Sequence, residues 1–124
     1  MEASTMAYIA AVLCGVWGLA HLAATKAVVG GFGPLTQENE RTLTMAWVGG
    51  GLTLLFISAL VVLVTLPVPG AGLEAWLVYQ SCAGMLIVST VVMLFTASRT
   101  PIVAMKLCPI IQTAAAVLLV LASL

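Results

Sequence analysis

The constraint that most limits this chain is where its charges fall. Only eight of 124 residues are Lys, Arg, Asp or Glu, and they cut the sequence into long uncharged intervals. These intervals cover residues 3–25, 42–73, 75–98 and 107–124. A helix needs about 20 apolar residues to cross roughly 30 Å of hydrocarbon, and more when tilted. Each interval therefore fits one span, and the longest is too short for two helices and a turn. The pattern predicts an all-α integral membrane protein, an antiparallel up-and-down bundle of four transmembrane helices.

Composition points the same way. Hydrophobic residues make up 63% of the chain and charged residues 6%, where a soluble domain carries about a quarter charged. A small globule leaves about a third of its unfolded surface in water, which this chain has too little polar surface to cover. The same figures exclude a disordered segment and a secreted disulfide scaffold. Four basic residues against four acidic ones exclude a nucleic-acid partner. The expected partner is the lipid bilayer.

Turn chemistry marks the joints. Gly30-Gly31-Phe32-Gly33-Pro34 breaks the chain after the first span, Pro67-Val68-Pro69-Gly70-Ala71-Gly72 after the second, and Ser98-Arg99-Thr100-Pro101 after the third, with Pro101 as a first helical residue. The expectation is one transmembrane domain over 1–124, with helices at about 6–28, 36–65, 73–97 and 101–123. Thr36 caps the second helix, and Glu38 and Glu40 in its first turn complement the positive helix end. The acidic Glu2 before the first span argues against a cleaved signal peptide, which would begin with Lys or Arg.

Orientation follows from the same charges. With four spans, both termini and the loop near 66–72 share one side, which carries Glu2 and Glu74 and no cation. Lys26, Arg41, Arg99 and Lys106 all lie near the other side. The positive-inside rule makes the loops near 29–36 and 98–101 cytoplasmic and both termini external, in a multi-pass membrane protein.

Helices in lipid associate through small residues and interhelical hydrogen bonds. Ala7, Ala11, Cys14, Gly18, His21 and Thr25 form one such stripe on the first span. Cys82, Met85, Ser89, Val92 and Thr96 form one on the third, and Met105, Cys108, Gln112, Ala115 and Ala122 one on the fourth. Gly15, Gly18 and the run Gly49-Gly50-Gly51 are the candidate close-packing glycines. Trp17, Trp47, Trp76, Tyr8 and Tyr79 read as interfacial anchors without further function.

His21 and Gln112 are the polar side chains that packing alone explains least, because a polar group in hydrocarbon costs free energy unless satisfied. Helical rise puts His21 about 6 Å from the inner surface and Cys108 about 10 Å. The two are expected as neighbours, rimmed by Arg41, Arg99 and Lys106. A satisfied structural histidine ranks ahead of a proton-carrying or ligand-contacting one, and a metal ligand comes last. Cys14, Cys82 and Cys108 are odd in number, lack C-x-x-C spacing and fall at different depths, so no bridge is expected. There is no aspartate, no Ser-His-Asp set and no phosphate-cradling loop. No catalytic constellation, metal site or cofactor is expected.

The run Gly18-Leu19-Ala20-His21-Leu22, followed by the Gly/Pro-rich loop, resembles the first helix of DoxX-like small bacterial membrane proteins. The resemblance covers the first quarter of the chain. It implies a four-helix fold and a bacterial inner-membrane location, and it carries no catalytic residue over.

Three functions remain in order. The first is an accessory or interaction subunit of a larger membrane complex, or a homo-oligomer. The second is a binder or transporter of a small or lipophilic solute, using a polar interior around His21 and Gln112 and a basic cytoplasmic mouth of Arg41, Arg99 and Lys106. An enzyme using His21 or Cys108 ranks last.

Overall fold

Four apolar runs become four helices. In a computed structural model that describes residues 2–66 and 72–124, these are α1 (Ala3–Gly30), α2 (Gln37–Thr65), α3 (Gly72–Phe95) and α4 (Val103–Ala122), with a 3-10 turn at Ala97–Arg99. Each helix is long and apolar enough to cross a membrane, and no strand occurs among the described residues.

The ends have local causes. α1 runs on to Gly30, two residues past the expected stop, and Gly33 at φ +79 then turns the chain in a conformation that glycine adopts freely. Thr36 caps α2 by accepting a hydrogen bond from the Asn39 amide at 3.3 Å, with Glu38 and Glu40 in the first turn. The expectation that Pro101 opens α4 is corrected: Ile102 caps the helix and Val103 is its first residue. Proline keeps the residue before it out of the helical region, and Thr100 is extended at ψ 158 after the 3-10 turn. Of the turn expected at 67–72, residues 67–71 lie outside the described residues, and Gly72 already belongs to α3.

Pairings between helices fix their directions. On α1 and α2, His21 meets Trp47, Gly18 meets Gly51, and Ala11 meets Ser58, so one number falls as the other rises. On α3 and α4, Gln80 bonds Ser123 and Thr90 bonds Gln112. Gly31 lies beside Ile102, while Trp17 and His21 lie beside Cys108, which makes α1 and α4 antiparallel as well. The Tyr79 and Thr65 hydroxyls, 2.7 Å apart, join α3 to α2. The helices therefore alternate in direction, with α1 packed chiefly on α2 and α4, and α3 on α4.

The core follows the small stripe of α1. Ala7, Ala10, Ala11, Cys14 and Gly18 are buried against Leu54, Ile57 and Val61 of α2 and the Ala115, Ala116 and Leu119 face of α4. The stripe expected on α3 is out of phase. Cys82 is buried, but Met85, Val92 and Thr96 are exposed, and the inward face is Tyr79, Cys82, Ala83, Leu86 and Thr90. The helix is apolar all round, so residue type alone leaves its phase open.

α1 and α2 cross backbone to backbone. A Cβ on Gly18 would stand 2.8 Å from the Gly51 carbonyl oxygen, and one on Gly51 would stand 2.7 Å from the His21 Cβ. Gly15 leaves room for the Ser58 hydroxyl, which donates to the Ala11 carbonyl at 2.7 Å. Gly50 is only near the His21 ring, and Gly49, expected in the seam, faces outward with nothing within 4 Å of its would-be Cβ. Gly51→Ala is expected to lower stability by about 1–3 kcal/mol, the usual cost of overpacking. Gly49→Ala should leave stability unchanged or raise it by up to about 1 kcal/mol through helix propensity. Thermal unfolding of the two variants in mild detergent reads the difference.

Candidate functional site

The crossing at Gly51 brings the α2 backbone against α1 one turn from His21, and the side chains on either side close around the imidazole. Trp47 stacks on the ring at 4.1 Å between centroids and 16° between planes. Trp17 meets it edge-on at 5.7 Å and 79°. Trp47 also donates from Nε1 to the His21 carbonyl at 2.8 Å, a carbonyl that accepts from the Thr25 hydroxyl as well, at 2.9 Å. His21 is 2% exposed, buried by both tryptophans and α4.

The hydrogen-bond partners fix the tautomer. His21 Nδ1 lies 2.9 Å from the Trp17 carbonyl oxygen, which only accepts, so Nδ1 carries the hydrogen and Nε2 is bare. Nε2 faces Cys108 Sγ at 3.7 Å. That sulfur already receives the Trp17 indole N–H at 3.3 Å and the Gln112 amide at 3.5 Å, leaving the thiol hydrogen for Nε2. Gln112 Oε1 in turn accepts from the Thr90 hydroxyl at 3.5 Å. A polar relay thus runs from α3 through α4 to α1. Among the described residues no buried side-chain nitrogen or oxygen lacks a partner.

α4 presents Cys108 and Gln112 on one face because they are four residues apart. Pro109, buried between them in sequence, has no N–H and leaves the Met105 carbonyl without its helical donor.

The structure brings together His21 and Cys108, the pair the depth arithmetic expects as neighbours, and adds Gln112 to them. It does not assemble the basic rim. Arg41 lines a groove on α2 with Gln37, Glu40 and Thr44. Arg99 lies over the Phe95 ring at 5.9 Å, and Lys106 lines a separate groove between α3 and α4. All three are exposed, Arg41 and Lys106 line separate grooves, and His21 lines neither of these. Among the described residues no three His, Cys, Asp or Glu side chains gather closely enough for a metal ion, and the three cysteines are free and buried.

Trp17 and Trp47 are the members of the site that reading the sequence as anchors overlooks. Trp17 carried a signal, since it precedes His21 by four residues and shares its helix face. Trp47 carried none, because its contact depends on the crossing angle at Gly51.

Chemically, the centre is a thiol and an imidazole held in contact inside a closed apolar bundle. Its polar groups are spent on one another, which suits helix locking. Compared with known proteins, the chain matches no family model, and no curated protein or solved structure matches it significantly.

Two measurements probe this arrangement. Trp47→Phe keeps a ring over His21 and loses one donor, so it should cost about 0.6 kcal/mol, the usual worth of a side-chain hydrogen bond in a membrane bundle. Trp47→Ala loses the stacking surface too and should cost about 3 kcal/mol. Separately, a membrane-permeant maleimide should leave all three cysteines unlabelled in the folded protein and label all three after denaturation. Rapid native labelling of Cys108 would show that the centre is open.

Proposed function

We propose that the protein is a multi-pass protein of the bacterial inner membrane that acts through its outer faces, as an accessory subunit of a larger membrane complex or by association with its own copies. The observation that carries this reading is the closed centre. His21, Cys108, Gln112 and both tryptophans satisfy one another, so the interior chemistry holds the bundle together and leaves only the surface for recognition. The DoxX-like resemblance of Gly18–Leu22 supports the same location.

Gly49 is the surface position we assign to that contact. It is exposed midway along α2 with open space around it, and a bare backbone in hydrocarbon allows a second helix to approach closely. The reading takes the membrane orientation from the cations: Lys26, Arg41, Arg99 and Lys106 on the cytoplasmic side, both termini outside.

Gly49→Leu should dissociate the assembly while leaving thermal stability intact, whereas wild type runs as a dimer or larger species, or with a bound partner, by light scattering in mild detergent. A wild-type chain that is monomeric and partnerless in detergent, and single in photobleaching counts in vesicles, overturns the reading. For orientation, a cysteine appended after Leu124 should react in intact cells with an impermeant maleimide. Protection there, with labelling only after lysis, inverts the topology.

A further inference from the structure

The groove between α3 and α4 is built like the seat of an amphiphile. Its volume is about 580 Å³, and its lining changes character from one end to the other. At the end beside the 3-10 turn stand Lys106 and the hydroxyl of Ser98. Lys106 is exposed, and no carboxylate lines this groove. Leu94, Pro109 and Ile110 form the middle.

The far end has hydroxyls without free hydrogens. Thr90 donates to Gln112 Oε1, and Thr113 donates to the Pro109 carbonyl at 2.7 Å. Pro109 has no N–H, and Ala114 closes the wall with a methyl group. From Lys106 to Ala114 the groove follows about 12 Å of helix, most of one leaflet of a roughly 30 Å hydrocarbon core.

Charge distinguishes this groove from the others at the same end of the bundle. The groove holding Lys26 and the one holding Arg41 are both lined by the Glu40 carboxylate as well. Between Glu74 and the C-terminus, by contrast, the sequence has Arg99 and Lys106 and no acidic residue. The α3–α4 side therefore presents uncompensated positive charge directly above an apolar trough.

We propose that this groove binds an anionic glycerophospholipid, with its phosphate paired to the Lys106 ammonium and one acyl chain lying along Leu94, Pro109 and Ile110 toward Ala114. The Ser98 hydroxyl donates to the Leu94 carbonyl at 3.0 Å and keeps its lone pairs for a headgroup hydroxyl, which favours phosphatidylglycerol. The site rests on the reading that these helices lie in a bilayer, and it is independent of the Gly49 face.

Native mass spectrometry of the full chain in mild detergent, offered phosphatidylglycerol and phosphatidylcholine of the same acyl length, tests it. Wild type should retain phosphatidylglycerol about fivefold better, the factor one lysine near an anionic surface is worth. Lys106→Gln should abolish that preference, and Lys26→Gln should keep it. Ala114→Phe, which fills the trough, should weaken retention of both lipids, and glycerol phosphate should displace neither. Equal retention by wild type, or a preference that survives Lys106→Gln, overturns the proposal. So does a disulfide-linked dimer through Ala114→Cys, which would put a second copy in the groove. Alkaline carbonate extraction separates the two levels. A chain that stays in the membrane without lipid preference sinks the lipid site alone, whereas a chain that is extracted sinks the membrane reading with it.

Discussion

With no side chain at Gly18 or Gly51, the backbones of α1 and α2 come within van der Waals contact, and the surroundings of His21 are placed by that approach. A Cβ at either position would meet backbone or the His21 Cβ at 2.7–2.8 Å. Because the helices ride so close, Trp47 reaches across to donate to the His21 carbonyl and to cover its ring, and Ser58 reaches Ala11. Held from α2, the imidazole has one direction left for Nε2, and that direction meets Cys108 on α4. The polar relay is thus a consequence of a steric fact about two glycines. In an apolar surrounding the relay has little freedom to rearrange, since each group that turned away would leave a donor or acceptor without a partner.

Much of this was legible in the sequence, for reasons that differ by element. The number of helices follows from the charge spacing, because lipid-length apolar runs have few other uses. The inward face of α1 follows from its small residues, since only close packing needs Ala7, Ala11, Cys14 and Gly18 at that period. The inward face of α3 did not follow from the same rule. There Tyr79, Leu86 and Thr90 pack inward while Met85 and Val92 point out, and on a helix apolar all round, residue type alone does not choose the phase. The meeting of His21 and Cys108 was readable from depth, a one-dimensional quantity that helical rise supplies, and Gln112 joins them as the residue four along α4 from Cys108. The scatter of Arg41, Arg99 and Lys106 was not, because depth carries no information about azimuth around the bundle. Trp47 lies 26 residues from the carbonyl it bonds, and nothing local marks it.

The polar residues of the interior also illustrate how weakly composition speaks to function in such a protein. A thiol beside an imidazole is the raw material of nucleophilic chemistry, and in an open cleft it would invite that interpretation. Here the thiol takes two N–H donors and offers its own hydrogen to the ring, within a bundle where every buried side-chain nitrogen and oxygen among the described residues has a partner. The same residue types serve as fasteners. Under the proposed function, recognition falls to surfaces that differ from one another: a bare backbone at Gly49 on α2, and a trough with a cation at its mouth between α3 and α4.

The order in which the chain is made gives the relay a history. α1 and α2 are neighbours in sequence and can pair as soon as both have emerged, which seats His21 between its two indoles. Cys108 and Gln112 arrive with the last helix. Until then the Trp17 indole N–H and the bare imidazole nitrogen have no partner, so the nascent hairpin carries an unfinished polar surface on the flank where α4 will dock. Docking of α4 therefore completes the relay, and a chain ending before Val103 would leave two polar atoms of the α1–α2 hairpin unpaired.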